Sequence, residues 1–130
     1  MLLKAREIGA EVMRQAKEAI KPGVPAGAIH QLVQKELSDR MGPSSKRNSR
    51  VAYSIGIAFA PDWGEGHIIS MMEGEKRLLQ PGMTFHLLAG HVALQGLDKI
   101  KRAVNSDTVL VTETGCETLT DGLEHKLYVK

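Results

Sequence analysis

Cysteine is nearly absent. Cys116 stands alone among 130 residues, which excludes an internal disulfide framework and fits a reducing compartment. No apolar run approaches the roughly 20 residues a membrane helix needs. The opening Met1-Leu2-Leu3-Lys4-Ala5-Arg6-Glu7 turns charged at once, so no signal-peptide core is expected either. An excess of one charge is also missing: seventeen Lys and Arg against fifteen Asp and Glu leave +2, too little to draw a polyanion. Two small basic groups, Lys46, Arg47 and Arg50 and then Lys99, Lys101 and Arg102, lack interleaved aromatics and read as solvated loops. Neither nucleic acid nor a membrane is therefore expected as a partner. What is present, 42% hydrophobic and 25% charged residues, is the composition of an ordinary folded domain. A chain of this size buries roughly two-thirds of its unfolded surface, enough for one core. Residues 1–130 are read as a single domain, expected in the cytoplasm.

Apolar residues at Ala5, Ile8, Val12, Ala16 and Ala19 recur every three or four positions and predict a helix over Leu2–Ile20. Lys21-Pro22-Gly23 stops it, since the residue before proline avoids the helical region. Pro25 opens a second helix, whose stripe of Ile29, Leu32, Val33 and Leu37 runs to about Ser38. Gly42–Arg50 is a loop. Strands are predicted over Val51–Phe59, Met83–Leu88, Asp107–Thr112 and Cys116–Leu119, with a last short one at Leu127–Val129. Gln80-Pro81-Gly82-Met83 has the form of a type II turn, and Gly115 is expected to supply a left-handed residue to a hairpin. Helices first and strands later argue an α+β fold rather than a parallel α/β one.

Five motifs then occur in a telling order: Ile20-Lys21-Pro22-Gly23-Val24-Pro25, Tyr53-Ser54-Ile55-Gly56-Ile57, Ala60-Pro61-Asp62-Trp63-Gly64-Glu65, Leu79-Gln80-Pro81-Gly82-Met83-Thr84-Phe85, and Thr108-Val109-Leu110-Val111-Thr112-Glu113-Thr114-Gly115. Together they resemble the pita-bread hydrolases, which include methionine aminopeptidase, Xaa-Pro peptidases and creatinase, and most of all the ectoine hydrolase branch. The resemblance covers nearly the whole chain but only the second half of the family's catalytic domain. It implies half of a pita-bread domain, two N-terminal helices packed on a curved antiparallel sheet. It also implies a C–N hydrolase of the creatinase and ectoine hydrolase kind, of which this chain would supply the substrate-shaping half and be inactive alone.

The same resemblance places Tyr53 where the family has a metal-binding His, and Leu88 and Ser106 where it has metal-binding Glu residues. Tyr is a poor ligand, Leu is none, and a lone neutral Ser is weak. No metal and no other cofactor is expected. Creatinase and ectoine hydrolase resemble each other in working without the metal pair, so chemistry would fall to a carboxylate or His. Glu65 and His86 are the candidates for it. Tyr53, Trp63, Glu65 and His86 are the candidate substrate-binding residues, Trp63 because an aromatic face suits a small cationic or zwitterionic ligand. His30, His91 and Cys116 read as structural, and Met71-Met72 as core filler. The missing half predicts a homodimer, or a separate chain that completes the domain, with a strand seam at Val51–Phe59 or Thr108–Thr112. The alternative is a non-catalytic half-domain that serves as a dimeric or partner-binding module.

Overall fold

The computed structural model describes residues 2–43, 49–57, 67–94 and 101–121. Among the described residues two helices, α1 (Leu2–Ala19) and α2 (Ala26–Met41), precede seven strands: β1 (Ala52–Ser54), β2 (Ser70–Met71), β3 (Thr84–Leu87), β4 (Val92–Leu94), β5 (Lys101–Ala103), β6 (Asp107–Val111) and β7 (Cys116–Thr118). Five strands form an antiparallel sheet in the order β2-β1-β3-β6-β7, while β4 and β5 make a separate hairpin. The helices cover one face of the main sheet. Val12, Met13 and Ala16 from the first helix, with Ile20 just beyond its end, meet Ile29, Val33 and Leu37 from the second, over Phe85, Leu87, Val109 and Val111. Phe85 is wholly buried, a contribution of about 1.5–3 kcal/mol.

Strand alternation makes the sheet two-faced. Along β3, Phe85 and Leu87 are buried while Thr84 and His86 are half-buried on the opposite side. Along β6, Asp107, Val109 and Val111 are buried and Thr108 and Leu110 are not. Asp107 is 3% exposed. It is neutralised by Lys17 at 2.5 Å from α1 and accepts a hydrogen bond from the Thr120 hydroxyl at 2.8 Å, as a buried carboxylate requires.

Several expectations are corrected. The second helix runs on to Met41, where Gly42 (φ +91°) returns its N–H to the Ser38 carbonyl at 2.8 Å. Of the strand expected over Val51–Phe59, Ala52–Ser54 forms β1, Val51 and Ile55 add flanking backbone hydrogen bonds, the chain bends at Gly56 and Ile57, and residues 58–59 lie outside the described residues. Gly82 has the positive φ (+89°) that the turn chemistry demands, and Gly115 does not. The β6–β7 loop closes instead through Thr112, whose N–H donates to the Gly115 carbonyl and whose hydroxyl accepts from the Gly115 N–H. Threonine thus does locally what a left-handed glycine would have done. The β4–β5 hairpin has no counterpart in the sequence reading. It lies against α1, where Gly9 and Gly90 approach so closely that a Cβ on Gly9 would stand 2.5 Å from the Gly90 oxygen. The expected strand at Leu127–Val129 lies outside the described residues.

The proposed seams are corrected as well. Among the described residues, strand β1 is flanked by β2 and β3, and β6 by β3 and β7, so neither offers a free edge; the outermost described strands of the main sheet are β2 and β7.

Candidate functional site

The face of the main sheet away from the helices carries the candidate site. Tyr53 on β1 and His86 on β3 are cross-strand partners, and His86 is in turn opposite Thr108 on β6. Directly opposed side chains on one face stand about 4.5–5.5 Å apart at Cβ. The Tyr53 and His86 rings meet with centroids 5.3 Å apart and planes tilted by 39°. Over the Tyr53 ring lies the Arg50 guanidinium, its Cζ 4.5 Å from the centroid. Such a contact at an exposed site is worth about 0.5–1 kcal/mol. The ladder therefore reads Arg50, Tyr53, His86, Thr108 across three strands.

Burial holds the His86 imidazole below its ordinary pKa, opposed in part by the negative charge of Asp107. His86 is therefore neutral near pH 7, with one ring nitrogen free to accept a proton and the other carrying one. Tyr53 brings a phenol, Thr108 a hydroxyl and Arg50 a fixed positive charge.

Of the residues singled out in the sequence, the fold unites Tyr53 and His86. Trp63 and Glu65 lie outside the described residues. Sequence reasoning missed Arg50, placing it in a solvated loop. No periodicity reveals its contact, because residues three apart on an extended chain do not share a face. His30 is buried against α2's own Gln34, 3.2 Å away, a structural position. Cys116 is half-buried with its thiol donating to the Lys17 carbonyl, and burial raises its pKa above the ordinary value, Lys17 opposing. A separate, mainly apolar depression of about 280 Å³ lies between Ile68, Leu78 and Met83 and shares no residue with the ladder.

The profile of metallopeptidase family M24 matches residues 3–113. The chain belongs to that family. It is 35% identical over 130 residues to the ectoine hydrolase of Halomonas elongata, covering 99% of this chain and 28% of that protein. In fold it resembles an X-Pro aminopeptidase from Thermotoga maritima, with a TM-score of 0.78 at 17% identity over 97% of this chain and 32% of the other. It also resembles the N-terminal domain of a FACT complex subunit from chickpea (Cicer arietinum), with a TM-score of 0.75 at 16% identity over 94% of this chain and 29% of the other. The chain thus spans less than a third of the length of the relatives it matches. The fold is that of a portion of a pita-bread domain in an M24 hydrolase relative.

Family membership raises the question of a metal centre, and the described residues do not fit one. Tyr53, Leu88 and Ser106 hold the positions that resemble the family's ligands, and Tyr53 is engaged with Arg50 and His86 instead. Among the described residues, no group of three His, Cys, Asp or Glu side chains converges on a common point. Among them too, no helix is long and apolar enough to cross a membrane.

Proposed function

We propose that this chain supplies the substrate-shaping part of a metal-independent C–N hydrolase site of the ectoine hydrolase and creatinase kind. The observation that carries the reading is the Tyr53–His86 pair on the sheet face away from the helices, at a position where the resemblance places a metal-binding His of the family. The 35% identity to an ectoine hydrolase supports the substrate class, a small polar nitrogenous molecule. In this reading neutral His86 takes a proton from water as the water oxygen attacks the substrate carbon. It returns the proton to the departing nitrogen as the C–N bond breaks. Tyr53 and Thr108 orient the substrate, and Trp63 and Glu65 are assigned to the same task by resemblance alone.

The chain works in this proposal as a homodimer, or with a separate chain that brings the rest of the domain. The outermost strands among the described residues, β2 and β7, are the seams in this proposal, and a stable pair needs about 1,000 Å² or more of buried surface. Light scattering should give twice the 14.2 kDa of one chain; a concentration-independent mass of a single chain would sink the homodimer.

Activity is tested by transplanting the chain into the Halomonas elongata ectoine hydrolase in place of its matching segment. A folded chimera that cleaves ectoine, and loses this with His86→Ala, supports the reading; a folded but inert chimera refutes it. By itself the chain should show no turnover of ectoine, creatine or Xaa-Pro dipeptides. Cleavage by the pure chain that disappears in Glu65→Gln and His86→Ala would contradict the need for a second part.

The substituted ligand positions Tyr53, Leu88 and Ser106 favour a second reading, a non-catalytic module that keeps the fold and binds a partner. An inert but folded chimera would turn the balance to it.

A further inference from the structure

We infer that the segment from Met72 to Leu78, with Ile68 beside it, is the surface on which a second copy of this chain docks about a two-fold axis. The inference rests on the homodimer part of the proposed function and deepens it by narrowing the seam to the β2 side of the sheet. Apolar exposure marks the place. Ile68, Met72 and Leu78 are 50%, 46% and 51% exposed, and Ile68 and Leu78 line the same depression of about 280 Å³. Grouped apolar exposure with a charged rim is the mark of an interaction surface.

The surface is fixed before any partner arrives. Strand β2 ends at Met71, and the chain turns back through Gly74 (φ +77°), where the Glu75 N–H donates to the Met72 carbonyl. The returning segment is anchored on the approach to α2. Ala26 and Gly27 N–H groups donate to the Arg77 and Glu75 carbonyls, and the Leu79 N–H donates to the Val24 carbonyl. The Arg77 guanidinium donates to the Glu75 carboxylate and reaches across to the Ile68 carbonyl. With backbone and Arg77 held in this way, little ordering entropy is lost on docking.

Charge order selects the occupant. Along Met72-Glu73-Gly74-Glu75-Lys76-Arg77-Leu78 both acids precede both bases, so the segment has no net charge to draw a polyanion or a polycation. Glu75 and Arg77 satisfy each other at 2.6 Å. Glu73 and Lys76 are exposed, and among the described residues neither forms an ion pair. A copy running antiparallel across a two-fold axis sets Glu73 against Lys76, and symmetry repeats the contact. A parallel copy would oppose like charges instead. A specific pair needs about 1,000 Å² or more in total, hence about 500 Å² from each copy. Residues 67–68 and 72–82, among which only Leu79 is buried, offer a surface of that order.

Light scattering on the full chain at low micromolar concentration reads the assembly. The parent should have the mass of two chains and Leu78→Asp the mass of one, with thermal melting to verify that the variant folds. The exposed charges give a sharper test, because reversing them leaves the core untouched. Glu73→Lys and Lys76→Glu should each weaken self-association at least tenfold. An equimolar mixture of these two variants should pair within threefold of the parent, since one copy then carries only positive charge at the two positions and the other only negative. A parent with the mass of one chain at every concentration would overturn the surface. So would a mixture no tighter than its components. A dimer indifferent to all three variants overturns this surface and leaves a homodimer with its seam elsewhere. Self-association that follows the charge rules while the ectoine hydrolase chimera is inert refutes the hydrolase reading and leaves this surface standing. An active chimera whose parent chain stays single overturns the surface and leaves the hydrolase reading.

Discussion

Replacing Gly27 by alanine sets two rules of helix stability against each other. Gly27 lies in the first turn of α2, and by helix propensity alone alanine should stabilise by about 0.8–1 kcal/mol. The tertiary structure reverses the sign. Helix α2 has no side-chain cap. Its first amides are satisfied by another segment, Ala26 N–H donating to the Arg77 carbonyl and Gly27 N–H to the Glu75 carbonyl, each at 2.9 Å. A Cβ on Gly27 would stand 2.7 Å from that Glu75 oxygen and 3.1 Å from the Glu75 nitrogen. Both are backbone atoms, so no side chain can swing away. Overpacking of this kind costs about 1–3 kcal/mol, and each capping bond lost as the segment retreats adds about 1 kcal/mol. After the propensity gain is subtracted, a net loss of about 1–3 kcal/mol remains. Urea unfolding followed by circular dichroism should show a lower midpoint with an unchanged slope. Ala28→Gly, one position on in the same turn, calibrates the propensity effect and should cost about 1 kcal/mol. A Gly27→Ala protein as stable as the parent, or more so, would refute the docking of residues 75–77 on the helix.

Three further outcomes are expected. His86 is held below the ordinary imidazole value of about 6.5, so on acidification the unfolded chain takes up this proton first. The resulting stability is present above that value and is lost as pH falls toward the folded-state pKa. Urea midpoints at pH 7.5 and 5.5 should differ less in His86→Gln than in the parent, and an identical pH slope would contradict it. Cys116, its thiol pKa raised by burial, should react with a disulfide reagent at pH 7 several-fold more slowly than a free thiol; equal rates would show that the Lys17 contact does not shield it. Elemental analysis after dialysis should find no stoichiometric Mn, Co, Zn or Fe, because Tyr53, Leu88 and Ser106 are unsuited as ligands. One or two ions retained per chain would defeat that reasoning.

Much of the fold was determined by the sequence alone. The apolar stripes of α1 and α2 and the alternation along β3 and β6 follow from local periodicity, because burying one face demands it whatever the partner is. The Pro81-Gly82 turn follows from backbone sterics. The order of motifs placed the chain among the pita-bread hydrolases, and the family profile agrees. What the tertiary structure decided is what depends on contacts between distant segments. Strand order made β2 and β7 the outermost of the described strands, although their sequences are less strand-like than those of β1 and β6. The β4–β5 hairpin packs on α1 with Gly9 and Gly90 in close approach, a pairing of residues 81 positions apart that no local pattern encodes. In the site, Tyr53 and His86 were visible as residue types, but their ring contact needed the β1–β3 register. Arg50 joined them only through the path of the chain into β1, which lays its guanidinium on the tyrosine ring. Side-chain chemistry is written in sequence; which groups share a face across strands is settled by register, and register is a property of the packed sheet.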